Sequence, residues 1–170
     1  MTISEDIVAE VPRLRRYARI LLKDQGAADD LVQDCLERAL SRLHLFQPGT
    51  NLRAWMFTIM HNLHVNAVVR ARREAPGRNG DATSEDFHCA TPPSQGQGLA
   101  LRDMERALDQ LSSDQRTVVL LVGVEGLTYA ETASVLNVPV GTVMSRLARG
   151  RERLRVLMNG TDPDPPGRVS

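Results

Sequence analysis

The chain has 170 residues, 21 basic and 21 acidic side chains for a formal net charge of zero, and few aromatics: three Phe, two Tyr and one Trp. That length holds one domain or two small ones with a real core, and a composition led by Ala, Leu, Arg and Glu, with Lys23 the single lysine, fits helical bundles and excludes a sandwich or barrel. No apolar run approaches the roughly 20 residues of a membrane span, and Glu5, Asp6 and Glu10 stand where a secretory signal would be basic, so an all-α cytoplasmic protein is expected.

The first predicted helix covers 7–22, with Val8, Val11, Leu14, Ala18, Leu21 and Leu22 on one face despite Pro12. A second covers 29–43, where Leu31, Val32, Cys35, Leu36, Ala39 and Leu40 form the apolar stripe and Cys35 reads as a small core residue. Cys89 falls in a polar stretch, so the cysteines form no disulfide framework. The polar side of the second helix carries Asp30, Gln33, Asp34 and Glu37, an acidic ridge that is either a solvated face or a dock for a basic partner. After a Pro48-Gly49 turn, with Thr50 or Asn51 as its cap, a third helix spans 52–73.

This third helix is a basic island. Residues 51–73 contain Arg53, Arg70, Arg72 and Arg73 and no carboxylate, a net +4, beside a segment 1–50 with seven basic and eight acidic residues. Trp55 and Phe57 lie at its start, and Asn62, Asn66 and Arg70 recur every four residues on one face, with Arg73 close to its end. Aromatic planes stack on unpaired bases, amides bond base edges and guanidinia hold the backbone, so the constellation reads as a single-strand nucleic-acid face. Taken alone, Trp55 reads as a core residue. His61 and His64 flank Asn62 and could bind a metal with Cys35, but no carboxylate lies in their helix, and neither a metal nor a cofactor is expected.

Between 74 and 100 helical periodicity gives way to Gly, Pro, Ser, Asp and Gln, the composition of a flexible tether. It separates units at 1–73 and 101–158, with a disordered tail expected over 159–170. Free of partners, the units are expected either to tumble separately or to collapse onto one another in a form unfit for DNA.

The second unit holds the sharpest pattern, TYAETASVLNVPVGTVMSRLARGRERLR. Thr128 and Glu131 fit a capping box, so a helix starts at Tyr129 and runs to Leu136; Asn137 tolerates the left-handed conformation that ends helices, and Pro139 opens the next one. Two helices about so short a turn are the layout of a helix-turn-helix DNA reader. In the second of them Val140, Val143, Leu147 and Leu154 are assigned inward, and Thr142, Ser145, Arg146 and Arg149 outward. Five arginines against Glu152 give 138–158 a net +4, next to −3 over 102–137, an electrostatic footprint for a polyanion.

Together these blocks resemble the group IV, or extracytoplasmic-function (ECF), bacterial sigma factors: DLVQDCLERAL with NLRAWMFTIMHNLHVNAV is similar to their region two, and residues 108–155 to their region four. The resemblance implies binding to core RNA polymerase and promoter DNA, with recognition, melting and initiation of transcription for a stress or signal-responsive regulon. It implies that Asp30, Gln33, Asp34 and Glu37 meet the β′ clamp helices and that region four touches the β flap. It further implies that Trp55, Asn62, Asn66, Arg70 and Arg73 engage the minus-ten element, with Asn62 capturing an extruded base. Thr142, Ser145, Arg146 and Arg149 would face the minus-thirty-five element, and an anti-sigma factor is the expected regulator. Two residues depart from the family pattern: Asn66 stands where many relatives have Asp, and Met144 where they have Lys or Arg. The rival reading is a sigma mimic that occupies an anti-sigma factor without contacting promoters; the surviving arginines and the lack of a receiver-like α/β domain speak against it. No phosphate loop, metal-ligand cluster or nucleophile set against a base suggests an enzyme.

Overall fold

The computed structural model describes residues 2–75 and 98–160. In chain order the helices are α1 (Ile3–Leu22), α2 (Gln25–Ser41), α3 (Leu52–Glu74), α4 (Leu99–Asp109), α5 (Ser113–Val119), α6 (Tyr129–Leu136) and α7 (Val140–Asn159). A short 3-10 turn, Leu43–Leu45, follows α2, and a π-helical turn, Leu120–Val124, continues α5. There is no strand among the described residues, and the all-α expectation holds. The tether assigned to 74–100 meets the described residues only at its ends, where α3 reaches Glu74 and α4 begins at Leu99; Cys89 and most of the assigned tail lie outside them.

Helix starts are set by polar caps ahead of the apolar pattern. The Thr2 amide donates to Glu5 Oε2 at 2.7 Å and the Glu5 amide to Thr2 Oγ1 at 3.4 Å, a capping box that starts α1 well before residue 7. Asp24 Oδ1 accepts from the Ala27 amide at 2.8 Å, which starts α2 at Gln25 rather than 29. Lys23, at φ 58°, takes the left-handed conformation that lets α1 end and α2 begin almost at once. Asn51 Oδ1 caps α3 by accepting from Ala54 at 3.3 Å.

Two assigned faces each lose one residue. In α1 the buried residues are Ile7, Leu14, Tyr17 and Ala18, while Val8 is 67% exposed, because Ile7 rather than Val8 shares the inward stripe of Leu14 and Ala18. Pro12 is tolerated there: the carbonyl it cannot serve belongs to exposed Val8 and can meet water. In α2, Leu31, Val32, Cys35 and Ala39 are buried as expected, but Leu40 is 53% exposed. Tyr17 and Phe57 pack edge to face, ring centroids 5.1 Å apart, with the buried Tyr17 reaching Thr117 of the second unit. In the second unit α5 lies so close to α7 that a Cβ on Gly150 would come within 2.8 Å of Val119 Cγ2, so only glycine permits the approach.

The units do not stand apart. α3 packs on α6, and buried side chains from both units form one continuous apolar cluster. The structure describes a packed state that differs from the one expected: the units lie against each other, but Asn62, Arg70, Ser145 and Arg149 remain exposed, so packing does not hide the basic faces.

Candidate nucleic-acid interface

The helix-turn-helix forms where the sequence places it. Thr128 and Glu131 close the capping box of α6, with the Thr128 amide donating to Glu131 Oε2 at 2.8 Å and the Glu131 amide to Thr128 Oγ1 at 3.1 Å. Asn137 ends α6 in the left-handed region at φ 53°, and Pro139 is the N-cap of α7. Val143 and Leu147 are buried and Leu154 packs against the core, as assigned. Val140, expected inward, is instead exposed on the first turn.

The outward stripe of α7 is displaced from the expected one. Ser145 and Arg149 are exposed, but Thr142 and Arg146 are half-buried on the flank, and Arg146 pairs with Asp114 at 3.2 Å. The residues that stand out beside Ser145 and Arg149 are Gly141, Met144 and Ala148. Arg149 and Arg151 make no ion pair among the described residues, whereas Arg155 is held by Glu152 at 2.6 Å.

On α3 the row Asn62, Asn66, Arg70 and Arg73 is exposed, as expected. The aromatics divide. Trp55 is half-buried against Phe46, with centroids 5.3 Å apart, and Phe57 is a core residue. Arg53 is also withdrawn from the basic face: its Nε and Nη2 donate to both oxygens of Glu10 at 2.9 and 3.1 Å. Asp30, Gln33, Asp34 and Glu37 are all exposed on α2. A groove of about 800 Å³ runs between the ridge and the α3 row, with Asp30, Asp34 and Glu37 on one wall and His64, Asn66 and Arg70 on the other.

His61 and His64 are drawn toward the protein. Burial lowers the pKa of each, opposed at His61 by Asp114 and reinforced at His64 by the neighbouring His61. Their neutral forms are favoured in the fold, so between the ordinary histidine range and their depressed values the unfolded chain binds more protons. Stability from these groups is therefore present above about pH 6.5 and is lost as pH falls below it. A thermal melt is expected to drop more between pH 7.5 and 5.5 for the natural chain than for a His61→Gln, His64→Gln variant; parallel curves would contradict this. The described residues contain no cluster of three metal-ligating groups. Cys35 is a core thiol that donates to the Met56 carbonyl at 3.5 Å, and burial pushes its pKa up to about 12.

The contacts that join the units escaped the sequence reading. Glu125, 1% exposed, receives Arg16 Nη2 at 2.8 Å, with Arg13 Nη1 3.8 Å from its other oxygen, while its carbonyl accepts from Arg53 Nη1 at 3.2 Å. Asn51 Nδ2 donates to Glu131 Oε1 at 2.8 Å, so the cap residue of α3 and the capping-box acid of α6 are fastened to each other. Those hydrogen bonds, first from the Thr128 backbone and then from Asn51, lower the Glu131 pKa. Lys23 and Asp109 pair at the far end of the seam. The one sequence signal was Glu125 itself, a lone carboxylate in the apolar run LLVGVEGL.

A helical unit with an acidic ridge and a basic amide-bearing helix, followed by a helix-turn-helix, defines a two-unit promoter-recognition protein of the sigma-70 type. The first unit matches the Sigma2 domain of PhyR over residues 7–61, and the second matches Sigma-70, region 4 over residues 101–154. The chain is 39% identical over 157 residues to the ECF RNA polymerase sigma factor EcfG of Rhodopseudomonas palustris, across 92% of this chain and 85% of that protein. It is 31% identical to the RNA polymerase sigma-H factor of Pseudomonas aeruginosa, across 77% of this chain and 72% of that one. The sigma factor RpoE of Bartonella quintana, solved in complex with the anti-sigma factor NepR, superposes with a TM-score of 0.77 at 33% identity, over 92% of this chain and 96% of that one. The anti-anti-sigma factor PhyR of the same organism shares the fold at 18% identity and a TM-score of 0.56, over 90% of this chain and 49% of that one. The chain belongs to the ECF RNA polymerase sigma factors, which bind core polymerase and direct it to promoters. No helix among the described residues is long and apolar enough to cross a membrane.

Proposed function

We propose that this sigma factor applies its two basic helices to separate stretches of one promoter while core polymerase is held through the acidic ridge of α2. In that reading Asp30, Gln33, Asp34 and Glu37 meet the β′ clamp helices and the second unit meets the β flap. Asn62, Asn66, Arg70 and Arg73 engage the minus-ten element, with Trp55 buttressing the start of α3 and Asn62 taking up an extruded base. Ser145 and Arg149 face the minus-thirty-five element directly, and Thr142 and Arg146 reach it from the flank once Arg146 leaves Asp114. The chain supplies binding energy in the cytoplasm, the polymerase performs the chemistry, and the regulon answers a stress or signal.

The observation that carries this reading is the grouping of open cations with the other candidate DNA groups. Arg70 and Arg73 continue the exposed Asn62 and Asn66 row of α3, and Arg149 and Arg151 stand on the outward side of the recognition helix, all four without an ion pair among the described residues. Arg19, Arg38 and Arg42, on or capping the first two helices, are exposed and unpaired among those residues as well. Arginines left open on the two candidate faces suit a polyanion. Arg149→Ala is expected to weaken minus-thirty-five binding by about 1–3 kcal/mol if it reads a base, relaxing specificity at one position, or to weaken all sequences alike if it holds a phosphate. Arg146→Ala should cost less, because its gain on DNA is offset by the lost Asp114 pair. A panel of promoter variants measures both, and unchanged affinities would contradict the assignment.

An anti-sigma factor is the natural regulator, since RpoE, which aligns with this chain across both units, was solved bound to one. The likeness of the first unit to the Sigma2 domain of PhyR favours a second reading, a mimic that engages only the anti-sigma factor. Such a decoy has no use for unpaired arginines on both DNA faces, and transcription separates the two.

A further inference from the structure

Two features of α7 have no explanation inside the fold. Met144 is 52% exposed and Val140 42% exposed; with exposed Ala148 they form a row at i, i+4 and i+8 on the outward side of the helix. Gly141, one turn before Met144 on the same side, is a helical glycine with negative φ, and a Cβ built there would meet nothing within 4 Å. Gly141 lies in the first turn of α7, and no internal packing calls for glycine there. Glycine beside Ser145 and Ala148 leaves the backbone low around a single long, unbranched side chain, while exposed Arg149 lies to one side and exposed Arg151 two turns beyond Met144 on the same row, placed for phosphates. That surface matches a major groove: cations flank it, small residues let the helix sit deep, and an apolar tip meets the floor. The one apolar group on that floor is the thymine C5-methyl.

We propose that Met144, supported by Val140, is a specificity-determining residue that reads thymine methyl groups in the upstream promoter element, and that Gly141 permits the close approach. This rests on the reading of α7 as the upstream DNA contact. The flexible, polarisable thioether reaches a methyl without demanding one fixed geometry, and burying both excludes water from them.

Holoenzyme formed from core polymerase and the full chain is used to select duplexes with a randomised upstream element. A selected duplex is then remade with deoxyuridine at single thymine positions, which removes the methyl and keeps the hydrogen-bonding edge. For the natural chain one or two positions should lose about fourfold in affinity per methyl, the size expected for one buried carbon group. For Met144→Ala, which should keep its fold when checked by circular dichroism because the site is exposed, thymine and deoxyuridine should bind equally. Gly141→Leu should weaken both duplexes at least tenfold with an unchanged or higher melting temperature. Indifference of the natural chain to the methyl at every position overturns the inference while leaving the promoter reading standing, as does a methyl effect that persists in Met144→Ala. Failure of the holoenzyme to select any duplex overturns both.

Discussion

Replacing Asn62 with alanine is expected to lower promoter opening by one to two orders of magnitude while duplex binding changes little. Asn62 is exposed at the middle of α3, in line with Asn66 and Arg70, with no hydrogen-bond partner for its amide among the described residues. Extruding a base from the stack costs a few kcal/mol, and a tenfold change in an equilibrium corresponds to about 1.4 kcal/mol, so removing the hydrogen bonds that reward extrusion shifts melting by that order. Duplex affinity comes instead from arginines on phosphates, which the substitution leaves in place. Permanganate reactivity of unpaired thymines reads the open complex, and normal melting by the alanine variant would contradict the role.

The second large effect is expected at the seam between the units. Glu125→Arg puts a cation where Arg13 and Arg16 converge, beside Arg53, in a site that is 1% exposed. Breaking a buried pair typically costs about 3–5 kcal/mol when it leaves an uncompensated charge, and here the attraction becomes repulsion. The arginines on α1 are partly exposed and can rehydrate if the units separate, so relief should come by opening the seam rather than by unfolding either unit. Small-angle scattering is expected to show an expanded particle with unchanged helicity. An unchanged radius of gyration in a folded variant would show that Glu125 does not hold the units together. Arg16→Ala, which removes the 2.8 Å contact alone, should expand the particle less.

How much of this was legible follows from the range over which each signal acts. Caps and turns are local chemistry, and so Thr128, Glu131, Asn137 and Pro139 place the helix-turn-helix in the sequence as they do in space. Thr2 and Asp24 carry the same signal, and reading only the apolar stripe hid it, which cost the first residues of α1 and α2. Faces were less secure because adjacent apolar residues such as Ile7 and Val8 fit overlapping stripes, and the choice depends on which neighbour the helix meets. Val140, assigned inward, is exposed and Arg146, assigned outward, is partly covered for the same reason: α5 brings Asp114 to one flank of α7 and leaves the first turn uncovered. The acidic ridge and the α3 row are legible because no described element folds over them. The seam was not, since Arg16 with Glu125 and Asn51 with Glu131 are each separated by a large part of the chain, and no local pattern couples them.

The packed arrangement also corrects the expectation that a collapsed free chain hides its DNA faces. Its seam occupies Arg53 and the cap of α3, while Asn62, Arg70, Ser145 and Arg149 stay open. The polar groups that fasten the units are thus distinct from those assigned to DNA, and variants at the seam and on the faces can be scored separately.

The most direct measurement is run-off transcription from genomic fragments with purified core polymerase, comparing the natural chain with a variant carrying both Asn62→Ala and Arg149→Ala. The account predicts discrete transcripts that require the chain and are lost with the double variant. A folded natural chain that binds core polymerase yet starts no transcript on any fragment would contradict it.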